Sequence, residues 1–273
     1  MKVLIPTAGI GSRLGDITQH INKAMLPIGS RPVISHIIDS YPAGTEFIVA
    51  LGFRGTYIRE YLDLVYPKVK FNFVEVDNFD GPGSGLGYTL KQCKPYIDGP
   101  FYFHANDTIV LDGRMGEERS ADTMFLHAAS PDPKKYRTVS FNDKDNHVVK
   151  IYDKTDEHLN GIYNYIGLAY IKDYKAFREY LDSMSVRIGE SDYFIRRISE
   201  KKAVMADMVD RWYDIGNIEQ FRQAQRDLSD FENLNKPNEA IYFHGTKVIK
   251  FSTDESFIKN RTIRAKGLRG MVP

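Results

Sequence analysis

Short apolar runs alternate with amphipathic stretches through the first hundred positions of the chain. "KVLIP" at 2–6, "EFIVAL" at 46–51, "VKFNFVEV" at 69–76 and "PFYFHAN" at 100–106 read as strands. Between them, "RPVISHIIDSY" places Val33, Ile34, Ile37 and Ile38 at helical spacing, with Pro32 suited to a first helical turn. "GTYIREYLDLVY" repeats the helical period before the third strand. Strand and helix alternating in this way predict a doubly wound α/β fold, a mostly parallel sheet with helices on both faces. Ligands then belong at the carboxyl ends of the strands.

The middle third changes character. "TMFLHAA", "RTVSFN", "HVVKIYDK" and "YNYIGLAYI" are short strand candidates separated by turn-formers such as "SPDPKK" and "NDKDN". They predict an added mixed-sheet portion that walls the site, followed by helices over "KDYKAFREYLDSM" and "ESDYFIRRISEKK". The pattern breaks at the polar stretch "NLNKPNEA", which sets a boundary near residue 235 and divides the chain into 1–235 and an appendage, 236–273.

Composition narrows the function classes. A chain of 273 residues with a net charge of +1 carries no sign of a nucleic-acid-binding surface or a polybasic membrane anchor. No stretch reaches the roughly 18–20 apolar residues of a membrane span, and no apolar signal segment follows the N-terminal lysine. The single cysteine, Cys93, fits a reducing compartment, and with no paired histidine it reads as structural; cytoplasm is the expectation.

The candidate chemistry begins at "PTAGIGSRLG", where Ala8, Gly9 and Gly11 leave the first strand with Arg13 close behind. Small residues there let backbone N–H groups approach a phosphate that a Cβ would hold off. A dinucleotide fold would require a third glycine where Leu14 stands. A P-loop would require a lysine directly after the last glycine, whereas the next lysine is Lys23. A tight surface turn is the bland alternative for the loop taken alone.

The longer run "AGIGSRLGDITQHINKAMLPIGSRP" resembles the signature of the nucleotidyltransferases that make nucleotide-activated sugars and related phosphate esters. In that family a strand leads to G-x-G-[ST]-R-[LM], then to P-K-x-[LM]-[LV]-P-[IV]; Asn22 stands where the family has proline. The resemblance implies a Rossmann-like nucleotidyltransferase domain over 1–235, with Arg13 and Lys23 catalytic and Ala8, Gly9 and Gly11 against the nucleotide. It continues in "FYFHANDTIV", whose Asp107 matches a Mg²⁺-binding aspartate, and in "RWYDIGNIEQF", whose Asp214 completes the metal site. Mg²⁺ is a hard cation that takes one or two carboxylates together with phosphate oxygens. "DGPGSGLGYTL" looks like the segment that packs on the base, with Gly85 and, more loosely, Gly87 carried over; a glycine-rich hairpin or lid is the other reading.

On the acceptor side, "VVKIYDKTDE" stands where the family has Glu-Lys-Pro, making Lys154 the candidate for the acceptor phosphate. Asp153 and Thr155 depart from the family there. Gly167 in "NGIYNYIGLAYI" matches the substrate-facing strand. The implied reaction joins an NTP, CTP favoured, to a sugar 1-phosphate or other small phosphate ester with release of pyrophosphate, for surface-glycan precursor synthesis. A non-catalytic nucleotide or nucleotide-sugar binding module attached to a kinase is the alternative. In the appendage, "GTKVIKFS" resembles the kinase strand that carries a phosphate-binding lysine, here Lys250. The appendage is therefore read as the start of a kinase-like domain in a longer chain, or as a hairpin-plus-helix tail with a packing or dimerisation role.

Overall fold

The computed structural model describes residues 1–112, 115–128, 134–154, 160–185, 188–229, 239–252 and 254–268. Its N-terminal part contains β1 (Lys2–Pro6), β2 (Pro27–Ile28), β3 (Arg31–Pro32), α1 (Val33–Asp39), β4 (Glu46–Leu51), α2 (Gly55–Val65), β5 (Lys70–Glu75), α3 (Leu86–Cys93) and β6 (Phe101–His104). The middle adds β7 (Thr108–Val110), β8 (Asp122–Ala128), β9 (Thr138–Phe141), β10 (Val148–Tyr152), β11 (Tyr163–Ile171), α4 (Tyr174–Ser183) and α5 (Glu190–Ser199). Then follow β12 (Val204–Met208), β13 (Trp212–Asp214), α6 (Ile218–Asp227), β14 (Glu239–His244), β15 (Lys247–Ser252) and α7 (Glu255–Gly267).

The doubly wound half is as the apolar pattern predicts. β6, β1, β4 and β5 lie side by side and parallel. Along β1, Val3 and Ile5 enter one core while Leu4 enters the other, the period-2 division of a sheet buried on both faces. One core is covered by α1, α2 and α6 through residues such as Ile34, Leu62 and Phe221. The other is covered by α3, α4 and α5 through Leu90, Leu181 and Phe194. Pro32 caps α1 instead of entering its first turn.

The mixed-sheet portion is no separate layer, because it extends the same nine-stranded sheet. β11 joins it antiparallel to β6 and also pairs with β8 and β9, with an irregular register between Tyr165 and Ala169. Gly167 sits inside that irregularity at φ +75, a conformation that disfavours any side chain. Cys93 is buried in the second core and burial pushes its thiol up to about 12, in keeping with a structural role.

The boundary near residue 235 lies outside the described residues. Beyond it, β14 and β15 form an antiparallel hairpin whose inner face closes the first core. Tyr242 is fully buried, edge-on to Tyr61, and Phe251 packs edge-on against Tyr57 of α2 at 4.4 Å. Lys250 is on β15, 3.8 Å from Glu239. No helix among the described residues is long and apolar enough to cross a membrane.

Candidate active site

Two adjoining cavities open above the carboxyl ends of the parallel strands. The first, about 520 Å³, is floored by the loop after β1 and bounded by Phe79, Asp80, Ser84, Gly85 and Thr89. The second, about 550 Å³, is walled by β11, β13 and the start of α5. Arg13, Asp107 and Glu190 line both, so the seam between the cavities is also where the charge is concentrated.

The loop after β1 is held in shape by its own backbone. Gly11 takes φ +70, and a Cβ there would come within 3.3 Å of Thr18. Its carbonyl accepts from the Leu14 N–H and the Thr18 hydroxyl. Ala8 is clamped from the side, where its carbonyl accepts the Phe53 N–H at 2.9 Å. A Cβ on Gly52 would stand 2.6 Å from that same oxygen. Gly9 has open space where a Cβ would stand and lines the first cavity. Gly85, at φ +147, precedes α3 at the other end of this cavity. The stretch 80–90 therefore runs into a helix, not a hairpin. Gly87 faces away from the cavity, since a Cβ on it would meet the carbonyls of Ser185 and Ile188 at 2.6 Å.

Asp107 and Asp214 are brought together by the pairing of two three-residue strands, β7 and β13, with the Ile215 N–H donating to the Asp107 carbonyl. A Cβ placed on Gly216 would lie 2.8 Å from Asp107 Oδ2, 2.9 Å from Asp214 Oδ1 and 3.2 Å from Lys23 Nζ. Both carboxylates and the ammonium thus converge on one point that only a glycine leaves open. Lys23 Nζ donates to Asp107 Oδ2 at 2.8 Å. Burial alone would push the Asp107 carboxyl up, but the charges of Lys23 and Arg13 outweigh it and hold the group below the usual range. Asp214 goes the other way, raised by burial and then by the negative charge of Asp107. Its oxygens accept from the Tyr136 hydroxyl at 2.9 Å and the Gly216 N–H at 2.8 Å.

Lys154 and Gly167, the residues carried over for the acceptor, both line the second cavity. The Lys154 ammonium is depressed by burial and then by the charge of Arg13, with Asp214 pulling the other way. Several further groups are missed by sequence reasoning. Arg137 holds Asp192 through both terminal nitrogens and Asp153 through Nε, so this cation spends its charge on two acids. The Trp212 indole N–H is buried with no partner among the described residues. Glu190 is buried at the start of α5, and burial pushes its carboxyl up to about 7. Its place after the Gly189 cap was the available signal; its burial was not readable, since "GESDYF" has the look of an ordinary helix start.

No family model matches the chain. The bifunctional protein GlmU of Methanocaldococcus jannaschii is 24% identical over 257 residues, which is 92% of this chain and 60% of that protein. The "probable glucose-1-phosphate cytidylyltransferase" of Bacillus subtilis is 37% identical over 90 residues, 32% of this chain and 34% of that one. The chain thus spans less than two thirds of the length of either relative. Among solved structures, a UDP-glucose pyrophosphorylase complexed with UDP-glucose superposes with a TM-score of 0.68 at 19% identity, covering 83% of this chain and 97% of its own. The CTP:phosphocholine cytidylyltransferase of Streptococcus pneumoniae gives 0.65 at 17% identity, covering 84% and 99%. The chain has the nucleotidyltransferase fold. The walls of the two cavities carry Arg137, Trp212 and Glu190.

Proposed function

We propose that this nucleotidyltransferase-fold chain is an enzyme that transfers a nucleotidyl group from an NTP to a phosphate ester, releasing pyrophosphate. The observation that carries the reading is the convergence of Asp107, Asp214 and Lys23 at the seam of the two cavities, with Arg13 beside them. The first cavity takes the NTP, its triphosphate against Gly9, Gly11 and Arg13 and its base toward Phe79 and Gly85. The second takes the acceptor, its phosphate against Lys154. An acceptor phosphate oxygen then attacks the α-phosphorus, the new P–O bond forms as the bond to the β-phosphate oxygen breaks, and pyrophosphate leaves. No protein nucleophile is required; the chain's residues position the reactants and neutralise charge that develops on the leaving group.

The donor set fits Mg²⁺. Two carboxylates converge, and Asp214 is raised by burial and then by the negative charge of Asp107, a repulsion that a hard divalent cation relieves. Asp107 and Asp214 would hold the ion, which supplies charge neutralisation to the phosphates when bound. Lys23 and Arg13 orient the triphosphate beside it.

A sugar 1-phosphate is the favoured acceptor, supported by the name of the glucose-1-phosphate relative of Bacillus subtilis. Arg137 is engaged by two of the chain's own acids, Asp192 and Asp153, one cation against two carboxylates. The Glu190 carboxyl, kept protonated by burial up to about pH 7, is a hydrogen-bonding group on the same wall. CTP is the favoured donor, supported by the names of the Bacillus subtilis relative and the Streptococcus pneumoniae structure. The test is pyrophosphate release from CTP, GTP, UTP, dTTP and ATP with Mg²⁺, against sugar 1-phosphates and small phosphate esters. Release from one NTP that depends on one acceptor supports transfer. Nucleotide binding without release across the panel points to a binding module instead.

A further inference from the structure

Lys23 owes its place to a short turn, Lys23–Met25, that is gripped from two sides. On the inner side, Asn22 is 1% exposed and uses both of its amide donors and its carbonyl oxygen. Its Nδ2 donates to the Thr7 carbonyl and to the Phe53 carbonyl, both at 2.8 Å, and its Oδ1 accepts the Ala24 N–H at 2.9 Å. Thr7 leads directly into Ala8 and Gly9, and Phe53 donates to Ala8, so one side chain ties the lysine turn to the nucleotide loop and to the turn after β4. The proline usual in the resembled family could make none of these bonds. On the outer side, the fully buried Tyr242 of β14 donates its hydroxyl to the Met25 carbonyl. The Phe243 N–H donates to the Ser30 carbonyl at 2.8 Å, fixing the same strand against the β2–β3 hairpin.

We propose that Asn22 and Tyr242 are positioning residues that clamp the Lys23 turn, so that the C-terminal hairpin is a working part of the transfer site and not an appendage to it. This rests on the transfer reading above. Removing either grip leaves a buried carbonyl without its donor and frees the turn to move Lys23 away from Asp107.

The test uses the full chain with Asn22→Asp, which keeps the shape but removes both donated bonds, and Tyr242→Phe, which removes only the hydroxyl. Leu181→Ala, a buried site on α4 in the opposite core, is the stability control. kcat, the KM for NTP and for acceptor, and Tm are measured for each, with kinetics run well below every Tm. The clamp predicts a kcat loss of about tenfold for Asn22→Asp and about threefold for Tyr242→Phe, as misplacement of a catalytic group does. Acceptor KM stays unchanged, and Leu181→Ala keeps wild-type kcat despite an equal or larger drop in Tm. If Asn22→Asp fails to fold, Tyr242→Phe carries the test alone. Wild-type kcat in Tyr242→Phe, or turnover lost in Leu181→Ala in step with its Tm, overturns the clamp. An inert wild-type chain counts against the transfer reading itself, and the clamp falls with it.

Discussion

Glu190→Gln isolates the cost of burying a carboxyl at the seam of the two cavities. The group's ordinary value is 4.5, and burial holds it at about 7 in the folded chain, against the opposing pull of its own backbone N–H, Tyr165 and Arg137. Below pH 4.5 the carboxyl is protonated in folded and unfolded chains alike, and it costs nothing. Between 4.5 and about 7 the unfolded chain gives up its proton while the folded chain keeps it, so stability falls as pH rises. Above that window the full cost stands: a shift of this size is worth about 3 kcal/mol. Glutamine keeps the shape and the neutral charge and escapes the cost. Glu190→Gln should therefore be more stable than wild type by about 3 kcal/mol at pH 8, roughly 5–10 °C in Tm, with the gain shrinking toward zero near pH 4. Thermal melts of both proteins across that range, compared pairwise at each pH, provide the assay. A difference that is flat with pH, or a glutamine variant less stable at pH 8, refutes the reasoning.

Other variants separate charge, fold and chemistry. Asp107→Asn strands the Lys23 ammonium, only 7% exposed, and should cost about 3 kcal/mol in urea unfolding while abolishing pyrophosphate release. Asp214→Asn should also abolish release yet leave the fold as stable as wild type or more so at neutral pH, because the carboxyl it removes is raised by burial and by Asp107. Gly167→Ala combines φ +75 with a Cβ only 2.9 Å from that of Ala105; it should lose about 1–3 kcal/mol and raise the acceptor KM without changing that of the NTP.

The parallel half of the fold is legible because its strands are continuous apolar runs and its helices carry a helical apolar spacing. β7, β12 and β13 are not: β7 and β13 are three residues each, and Asp207 breaks the apolar run of β12. The site divides the same way. Gly11, Arg13, Lys23, Asp107 and Asp214 are singled out by three separate motifs, each local in sequence, but the convergence of Lys23, Asp107 and Asp214 depends on Gly216 and on the β7–β13 pairing. Asn22 is visible as a departure from the resembled family, whereas its three buried bonds are not. Tyr136, Arg137 and Glu190 belong to no quoted motif, and their roles come from what the fold lays beside them: Asp214, the Asp192–Asp153 pair and the cavity seam. Tyr242 looks like one more apolar position of a hairpin until its hydroxyl is seen on the lysine turn.

The central claim is that the acceptor's own phosphate oxygen becomes bonded to the nucleotide's α-phosphorus. Phosphorus NMR of the reaction of the active NTP–acceptor pair with Mg²⁺ tests it most directly. Transfer predicts paired doublets of a new pyrophosphodiester growing in step with pyrophosphate. Nucleoside monophosphate appearing with pyrophosphate while the acceptor's phosphate signal stays unchanged would contradict it.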